Sequence, residues 1–511
     1  MSARPQTVKA GYTRPRAVKA AYGDLRDFLT AVQERGELKQ VKGASWDVEM
    51  SSIVELIYRD GKGTRPAVMF DETPGYPKGF RNLFGTIGST WRIAKALGLD
   101  EDEVQPMQLH ENWYRKSKDI RGIPPRTVAT GPIMQNVLTG DQVDLLKFPI
   151  PRFHEMDKAR FFGTQHGVIQ RDPDTGWVNV GTYRSMVVNR NTLALHAVPG
   201  KHGNILMYSK YFPRKQRMPV AIAVGMDPAL WYLSCQTDVP WGTSELDAAG
   251  FIKGEPLEVI KGEFTGLPLP ARAEIVVEGE VVPGEWVEEG PFGEWHGYYA
   301  NRGLLTVPEP VIHVKAIYHR NNPIFTCSMP AVPPHTFTLF LGVADSVAIR
   351  RRLENFGIPG IKGVWSHYTG SGGLFNVISI EQMYSGHATK VGMIASQYPA
   401  EMGAYTVVVE DDIDPSNLEQ VIWAMVTRCR LDCQIQIITG CHTNNVNTAI
   451  PLKEKRSSDK AVPLTQARMV IDACRDVAWK DDWYPIARVS PEFKKKLTDK
   501  WHRIFSETGV V

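Results

Sequence analysis

The spacing of hydrophobic positions changes along this chain, and each change marks a different kind of structure. Leu25, Phe28, Leu29 and Val32 recur at i, i+3, i+4 and i+7 behind Asp24 and stop at Gly36, which predicts an amphipathic helix with a carboxylate N-cap and a glycine at its end. Arg65-Pro66-Ala67-Val68-Met69-Phe70 predicts a strand, so a small α/β region opens the fold and runs to the basic, proline-containing connector from Arg115 to Arg126. From about Thr127 to Arg320 the period shortens to two, most clearly in Ala273 to Val282 and Val311 to Tyr318. In the second run Ile312, Val314, Ala316 and Tyr318 alternate with His313, Lys315 and His319. Short strands between Gly and Pro turns predict a barrel or curled sheet. After Asn321 helices and strands alternate again: Val407-Val408-Val409 reads as a strand buried on both faces, and Asp414-Pro415 as the start of a helix through Leu418, Val421, Ile422 and Met425.

The expected architecture is a multidomain α/β (α+β) chain, with a basic arm at 1–23, an N-terminal α/β region at 24–126, a β domain at 127–320, a C-terminal α/β domain at 321–490 and a helical tail at 491–511. A length of 511 residues supports this, being too long for one compact core. The balance of 59 basic against 56 acidic residues gives a net charge of +3 and no nucleic-acid or membrane footprint. No apolar run approaches the ~20 residues that span a bilayer. Six cysteines in so long a chain argue against a disulfide framework and for a reducing, cytoplasmic setting. Arg4, Lys9, Arg14, Arg16 and Lys19 all precede the first acid, Asp24, in a segment with little amphipathic pattern; this reads as a flexible arm, or one lying on a partner subunit, rather than a mitochondrial presequence.

Candidate chemistry concentrates in Glu289-Gly290-Pro291-Phe292-Gly293-Glu294-Trp295-His296-Gly297-Tyr298. A five-residue offset points two side chains to opposite faces of a strand, and about 140° apart on a helix, so neither element aims both carboxylates at one point. Gly290, Pro291 and Gly293 break both options and permit a bend that does. Two acids sharing a pocket shift each other's proton affinity toward the range useful for general acid catalysis.

The neighbouring motifs are Gly176-Trp177-Val178-Asn179-Val180-Gly181-Thr182-Tyr183-Arg184-Ser185-Met186, Lys201-His202-Gly203, Thr243-Ser244-Glu245 and Gly386-His387-Ala388-Thr389-Lys390. In this order and at these separations, with the glutamate turn, they resemble the UbiD-like decarboxylases, which use prenylated FMN to remove CO2 from aromatic, heteroaromatic or α,β-unsaturated acids. The resemblance runs from about Tyr22 to Tyr484. It implies that the central domain is a split β-barrel that binds flavin and that the C-terminal domain dimerises. It further implies Asn179, His202 and Glu245 as ligands of a divalent cation, Mn²⁺ or Mg²⁺, that bridges to the cofactor phosphate; an amide oxygen, an imidazole and a carboxylate suit such an ion. A weaker carry-over places K⁺ near Ser234, Cys235 and Thr237. Thr182, Tyr183, Arg184, His196, Ala197, Val198, Lys201 and His202 match cofactor contacts, and Lys390 matches a lysine that reaches the flavin from the later domain. Arg184, Glu289 and Glu294 match a catalytic network in which arginine grips the substrate carboxylate, Glu289 orients it and Glu294 donates the proton. The implied partners are a small aromatic or unsaturated acid, a flavin prenyltransferase that supplies the cofactor, and a second copy of the chain.

Other signals have plainer readings. Cys429, Cys433, Cys441 and His442 match no standard zinc spacing. Glu410-Asp411-Asp412-Ile413-Asp414 reads as helix capping rather than a magnesium site, and Gly370-Ser371-Gly372-Gly373 as a turn or lid. Pro333-Pro334-His335-Thr336-Phe337 and Gln434-Ile435-Gln436-Ile437 are expected to wall the pocket, with His335 over the substrate ring. Two rival functions remain. A split-barrel FMN oxidoreductase needs neither the Asn179/His202/Glu245 set nor the Glu289/Glu294 turn, and a non-catalytic flavin-binding subunit needs neither Arg184 nor Glu294.

Overall fold

In the computed structural model the described residues are 20–61, 65–118, 120–236, 239–300, 303–398, 403–457 and 464–507. Arg4, Lys9, Arg14, Arg16 and Lys19 of the basic arm, and Thr237, lie outside them.

The opening helix is Leu25–Glu34, with Asp24 accepting from the backbone N–H groups of Arg26 and Asp27 and with Leu25, Phe28, Leu29 and Val32 buried. The second oxygen of Asp24 accepts from Arg320 Nη1 at 2.7 Å, and Arg26 is bidentate on buried Glu274 at 2.8 and 2.7 Å, so this helix is tied to the middle of the chain. Strands Leu38–Lys42, Ala67–Asp71 and Arg81–Phe84 form the first sheet, and a fourth strand, Ile324–Cys327, joins it by pairing in parallel with Arg81–Phe84. The first sheet therefore takes its last strand from beyond the boundary expected near residue 320.

The central sheet has nine antiparallel strands. Its path runs from Phe161–Gly163 through Ser185–Asn189, Thr192–Leu195, Val307–His319, Ile275–Glu289, Met218–Val224 and His166–Arg171 to Val178–Gly181, with Asn136–Thr139 also pairing on Val307–His319. Val178–Gly181 ends the path on one side and Ser185–Asn189 is second from the other end, yet only residues 182–184 join them. Four Cα steps reach at most roughly 14 Å, so the sheet must curl until its ends nearly meet. Thr182-Tyr183-Arg184 bridges that seam. The alternation in Val307–His319 holds for buried Ile312, Val314, Ala316 and Tyr318 against exposed Lys315, then fails at Ile317 and His319, both of which are buried. The His319 ring packs on Phe80 of the N-terminal unit and on Phe148 of its own, so both faces of the strand are covered there.

The C-terminal unit is a mixed five-stranded sheet in the order Ile361–Ser366, Phe375–Ile380, Tyr405–Glu410, Leu464–Asp472 and Ile435–Thr443, with Thr336–Asn355 as its longest helix. Val407, Val408 and Val409 are all buried. The helix expected from Asp414 starts later, at Leu418, because the Asn417 side chain caps it by accepting from Gln420 N. The acidic string does something other than complement that helix. Glu410, with no exposure, takes Arg475 at 2.6 Å, Lys480 at 2.7 Å and Arg428 at 3.3 Å, while Asp412 takes Arg428 at 2.7 Å. The tail forms helices Pro491–Lys500 and His502–Glu507. No helix among the described residues is long and apolar enough to cross a membrane.

Burial pushes the Glu410 carboxyl up, but Arg475 and Lys480 outweigh it and hold the group below its ordinary value. A depressed folded value stabilises above the unfolded value of about 4.3 and is lost as pH falls through the folded one. Acidification below about pH 4 should therefore loosen the C-terminal unit, and Glu410→Gln should cost about 3 kcal/mol at pH 7 while blunting that acid sensitivity. Denaturant titrations at pH 7 and at about pH 3 check this; equal losses in both proteins on acidification would refute the role given to Glu410.

Candidate functional site

A cavity of about 670 Å³ opens where the seam of the curled sheet faces the C-terminal unit. Arg184 lies at its floor because its backbone is pinned on both sides: buried His166 Nε2 bonds the Tyr183 carbonyl at 2.7 Å, and His196 N donates to the Arg184 carbonyl at 2.9 Å. The guanidinium donates through Nε and Nη2 to Glu289 at 2.7 and 3.0 Å and through Nη1 to Glu294 at 2.8 Å. Glu289 ends the strand Ile275–Glu289; Gly290, at φ +92°, then turns the chain so that Glu294 comes back to the same guanidinium. Phe292 within that turn lies under Arg184, whose guanidinium carbon is 4.3 Å from the ring centroid.

Electrostatics follow from burial of a charged trio. Desolvation opposes the Arg184 charge, but Glu289 and then Glu294 overcome it and raise its proton affinity above the ordinary value. Burial likewise pushes Glu289 up, and Arg184, followed by His196, holds it below the usual carboxylate range. The turn is closed by Glu294 N donating to the Tyr298 carbonyl at 3.0 Å and Gly297 N donating to the Glu294 carbonyl at 2.8 Å. Sequence reasoning missed its buried support, Asp157, whose carboxylate accepts from Gly293 N at 3.2 Å and Tyr299 OH at 2.8 Å. Nothing in its local sequence marks Asp157, since the contact spans more than 130 residues. Phe292 was legible only as part of the turn.

A second cluster lines the same cavity. Asn179 Oδ1 is 3.2 Å from His202 Nδ1, and Glu245, 3% exposed, accepts from Val180 N at 2.7 Å. Tyr183 sets this arrangement: its hydroxyl accepts from Gly203 N at 2.9 Å and from Asn179 Nδ2 at 3.3 Å, which turns the amide oxygen toward His202. A Cβ at Gly181 or Gly203 would fall 2.3 or 2.4 Å from the Tyr183 side chain, so both positions require glycine. Burial pushes Glu245 up to about 8, and backbone N–H donors only partly offset it. A buried carboxylate with no ion-pair partner among the described residues, beside an amide oxygen and an imidazole, fits a hard divalent cation.

Of the residues expected to contact cofactor, Thr182, Tyr183, Arg184, His196, Val198, Lys201 and His202 line the cavity. Ala197 is buried beside it, its carbonyl accepting from Asn204. Ser234 and Cys235 line it too, with Thr182 Oγ1 at 3.1 Å from Ser234 Oγ and 3.2 Å from Cys235 Sγ. Lys390 is not brought in: it sits exposed on the helix His387–Ala395, away from the lining. His335 is also displaced from its expected place over a substrate ring. It is fully buried at the start of Thr336–Asn355, with Nε2 at 2.6 Å from the Trp295 carbonyl, and Phe337 faces the cavity instead. Gln434-Ile435-Gln436-Ile437 lies on the edge strand, and the far end of that strand, His442 with the following Thr443 to Val446, supplies the wall. Among the described residues, no three His, Cys, Asp or Glu side chains gather into a metal cluster, so Cys429, Cys433, Cys441 and His442 do not converge.

Residues 29–107, 126–333 and 338–473 match, in turn, the N-terminal, Rift-related and C-terminal domains of 3-octaprenyl-4-hydroxybenzoate carboxy-lyase, the UbiD family. A phenolic acid decarboxylase of Bacillus subtilis (strain 168) is 32% identical over 417 residues, covering 80% of this chain and 85% of that protein. A pyrrole-2-carboxylic acid decarboxylase of Pseudomonas aeruginosa is 31% identical over 424 residues, covering 79% and 83%. Among solved structures, the UbiD-class enzyme HmfF from Pelotomaculum thermopropionicum in complex with FMN matches with a TM-score of 0.80 at 26% identity, over 93% of this chain and 99% of that one. An evolved dimeric form of the same enzyme, in complex with prFMN, matches with a TM-score of 0.76 at 25% identity, over 92% and 98%.

The turn that returns Glu294 to Arg184 depends on Gly297, which sits at φ +89° with Val332 where a Cβ would point, 2.6 Å from Cγ2 and 2.8 Å from Cα. Gly297→Ala should open this turn while leaving the sheet intact. Hydrogen exchange of a peptide covering 290–300 is expected to quicken at least about tenfold, the equivalent of a 1.4 kcal/mol local opening, with the far-UV spectrum unchanged. Unaltered protection in that peptide would show that Gly297 does not set the turn.

Proposed function

We propose, starting from the fact that the chain belongs to the UbiD family of carboxy-lyases, that it catalyses the reversible, non-oxidative decarboxylation of an aromatic or heteroaromatic acid with prenylated FMN. The observation that carries this reading is Arg184, buried between Glu289 and Glu294 at the floor of a cavity that also holds the cation-ready Asn179, His202 and Glu245. A cavity of about 670 Å³ has room for a flavin-sized ligand and a small acid. Asn179, His202 and Glu245 would hold Mn²⁺ or Mg²⁺ against the cofactor phosphate, with K⁺ near Ser234 and Cys235; Lys201, His196 and Thr182 would complete the cradle. When bound, prenylated FMN supplies the electron sink for the bond pair left behind by CO2.

This chain's own residues do the rest. Three of the five N–H donors of Arg184 are engaged by the two glutamates, which leaves two for a substrate carboxylate. Glu289, bidentate on Arg184, fixes the plane of the guanidinium and so the direction of approach. Glu294 donates its proton to the carbon that has lost CO2 and withdraws a proton from it in the reverse direction. Phe292 and Phe337 exclude water from the floor and the far wall.

A flavin prenyltransferase would supply the cofactor. Two copies would pair through the C-terminal unit, whose edge strand and last long helix present Ile437, Ile422 and Val426 to solvent. All six cysteines are unpaired, which suits the cytoplasm.

Glu294→Gln keeps size and the bond to Arg184 but removes the proton, so the holoenzyme should keep its flavin and lose about 10² to 10⁴ in turnover. CO2 release from phenolic and pyrrole carboxylic acids measures it, and near-normal rates would move the proton donor elsewhere. Should the wild-type protein consume NADH with flavin reduction and release no CO2 from any such acid, a flavin oxidoreductase takes the place of this reading.

Removing a cation ligand tests the cofactor cradle separately. Glu245→Ala and His202→Ala should yield folded protein depleted together in flavin and manganese, read by absorbance and elemental analysis. Wild-type content of both in either variant would discard the cation site.

A further inference from the structure

We propose that Trp241 is a positioning residue for the cation site: with Trp177 it holds the His202 ring in place and locks the three ligand-bearing segments to one another before any ion arrives. This rests on the reading above that Asn179, His202 and Glu245 hold a divalent cation.

Those three residues come from separate stretches of chain, and a site that must first gather its ligands loses affinity to the ordering. Each stretch brings an aromatic ring to the same place. Trp177 stands two residues before Asn179, and so on the same side of the extended chain that becomes the strand Val178–Gly181. Trp241 stands four residues before Glu245, and His202 supplies the third ring itself. Ring centroids are 5.3 Å apart for Trp177 and His202, 5.2 Å for His202 and Trp241, and 4.6 Å for the two indoles. The imidazole meets the indoles at 75° and 88°, the edge-to-face arrangement that aromatic pairs favour.

The backbone fixes where Trp241 stands. Thr243 N donates to the Pro240 carbonyl at 3.0 Å and closes a β-turn with Trp241 and Gly242 at its corners. Gly242 takes φ +89°, the positive value that a type II turn requires at its second corner. The helix Glu245–Lys253 begins two residues after this turn, and its first carboxylate accepts from Val180 N at 2.7 Å, next to Asn179.

His202 has little other support. It opens the four-residue helix His202–Ile205 with no side-chain cap, two residues after Gly200 at φ +87°. Among the described residues its ring has a single polar contact, to Asn179 Oδ1 at 3.2 Å. One such contact leaves an imidazole free to tilt about it, and two indoles packed on the ring remove that freedom. Trp241 itself stays 45% exposed and belongs to none of the buried cores, so its packing serves this contact more than the stability of the fold.

The test is Mn²⁺ binding to the full-length chain, stripped of metal with a chelator and supplied with FMN, with free Mn²⁺ read from its electron paramagnetic resonance signal. Trp241→Ala should weaken binding about tenfold, the lower end of the loss when a group supporting a metal ligand is removed. Trp241→Phe returns a ring to the contact and should stay within about threefold of wild type. The urea midpoint of the metal-free chain should be unchanged in both, which separates positioning from stability. Trp177→Ala should weaken binding similarly, and the double variant by no more than about twofold further, because a clamp is undone by losing either side. Independent contributions would instead multiply to about a hundredfold. Wild-type affinity in Trp241→Ala, no recovery in Trp241→Phe, a urea midpoint that falls with the affinity, or multiplied losses would each overturn the proposal. If Trp241→Ala does not accumulate, Trp241→Leu carries the same comparison; loss of folding in both with Trp241→Phe sound would also overturn it, since Trp241 then has a structural role alone. A wild-type chain that binds no more Mn²⁺ than Glu245→Ala defeats the cation-site reading instead.

Discussion

A guanidinium removed from water dictates much of this structure. Burying Arg184 is unfavourable by several kcal/mol unless its charge and donors are met, and the chain meets them with Glu289 and Glu294, both themselves buried. Each carboxylate in turn needs its own support. Glu289 is placed by the end of a 15-residue strand, whereas Glu294 is placed by a turn with no regular hydrogen-bond ladder and must be held by side chains from elsewhere. The Asp157 carboxylate, the His335 ring and the Val446 carbonyl, the last bonded to His296, supply that hold, and they come from three separate stretches of chain. An isolated ion trio of this kind is a poor source of stability, because apolar residues would pack the same volume with no desolvation penalty. Its presence at the bottom of a cavity is better explained by chemistry that needs a fixed cation beside two acids.

The same seam explains why the other functional cluster lies where it does. Thr182-Tyr183-Arg184 closes the curled sheet, and within these residues the Arg184 side chain goes to the acid pair while the Tyr183 hydroxyl goes to Asn179 and Gly203. One three-residue connection therefore sets both the Glu289/Glu294 side and the Asn179/His202 side. Its geometry is protected by close packing: Gly181 and Gly203 leave no room for a side chain beside Tyr183, and His166 holds the backbone from beneath. Placement of this kind, on strand ends and fixed by packed neighbours, is what keeps reacting groups within the tolerance that catalysis demands.

Coupling between units is a second consequence. The first sheet borrows Ile324–Cys327, the first helix is anchored through Asp24 and Arg26 to Arg320 and Glu274, and the site turn is clasped by the C-terminal unit. The N-terminal and central parts share buried cores, and Phe340, Val343, Ala344, Val347 and Trp365 of the C-terminal unit join one of them. The C-terminal sheet has smaller cores of its own and a private ion network around Glu410.

What the sequence determined by itself were features with a local cause. The helix behind Asp24 follows from a 3.6-residue period and a cap, the buried Val407-Val408-Val409 strand from an unbroken apolar run, and the bend between Glu289 and Glu294 from the backbone freedom of glycine. The motifs around Asn179, Arg184, His202 and Glu245 also stand out, because unusual residue types sit close together in the chain. Tertiary structure decided whatever depends on contacts between distant segments. It moved the acidic string at Glu410 from helix capping to a buried ion network, buried His335 beneath the site instead of over a substrate, left Lys390 exposed, and brought Asp157 to the Glu294 turn. None of these is visible in a window of ten or twenty residues. The free energy of a buried charge depends on which partners the fold delivers to it, and those partners lie as far as 296 residues away along the chain, as Arg320 does from Asp24.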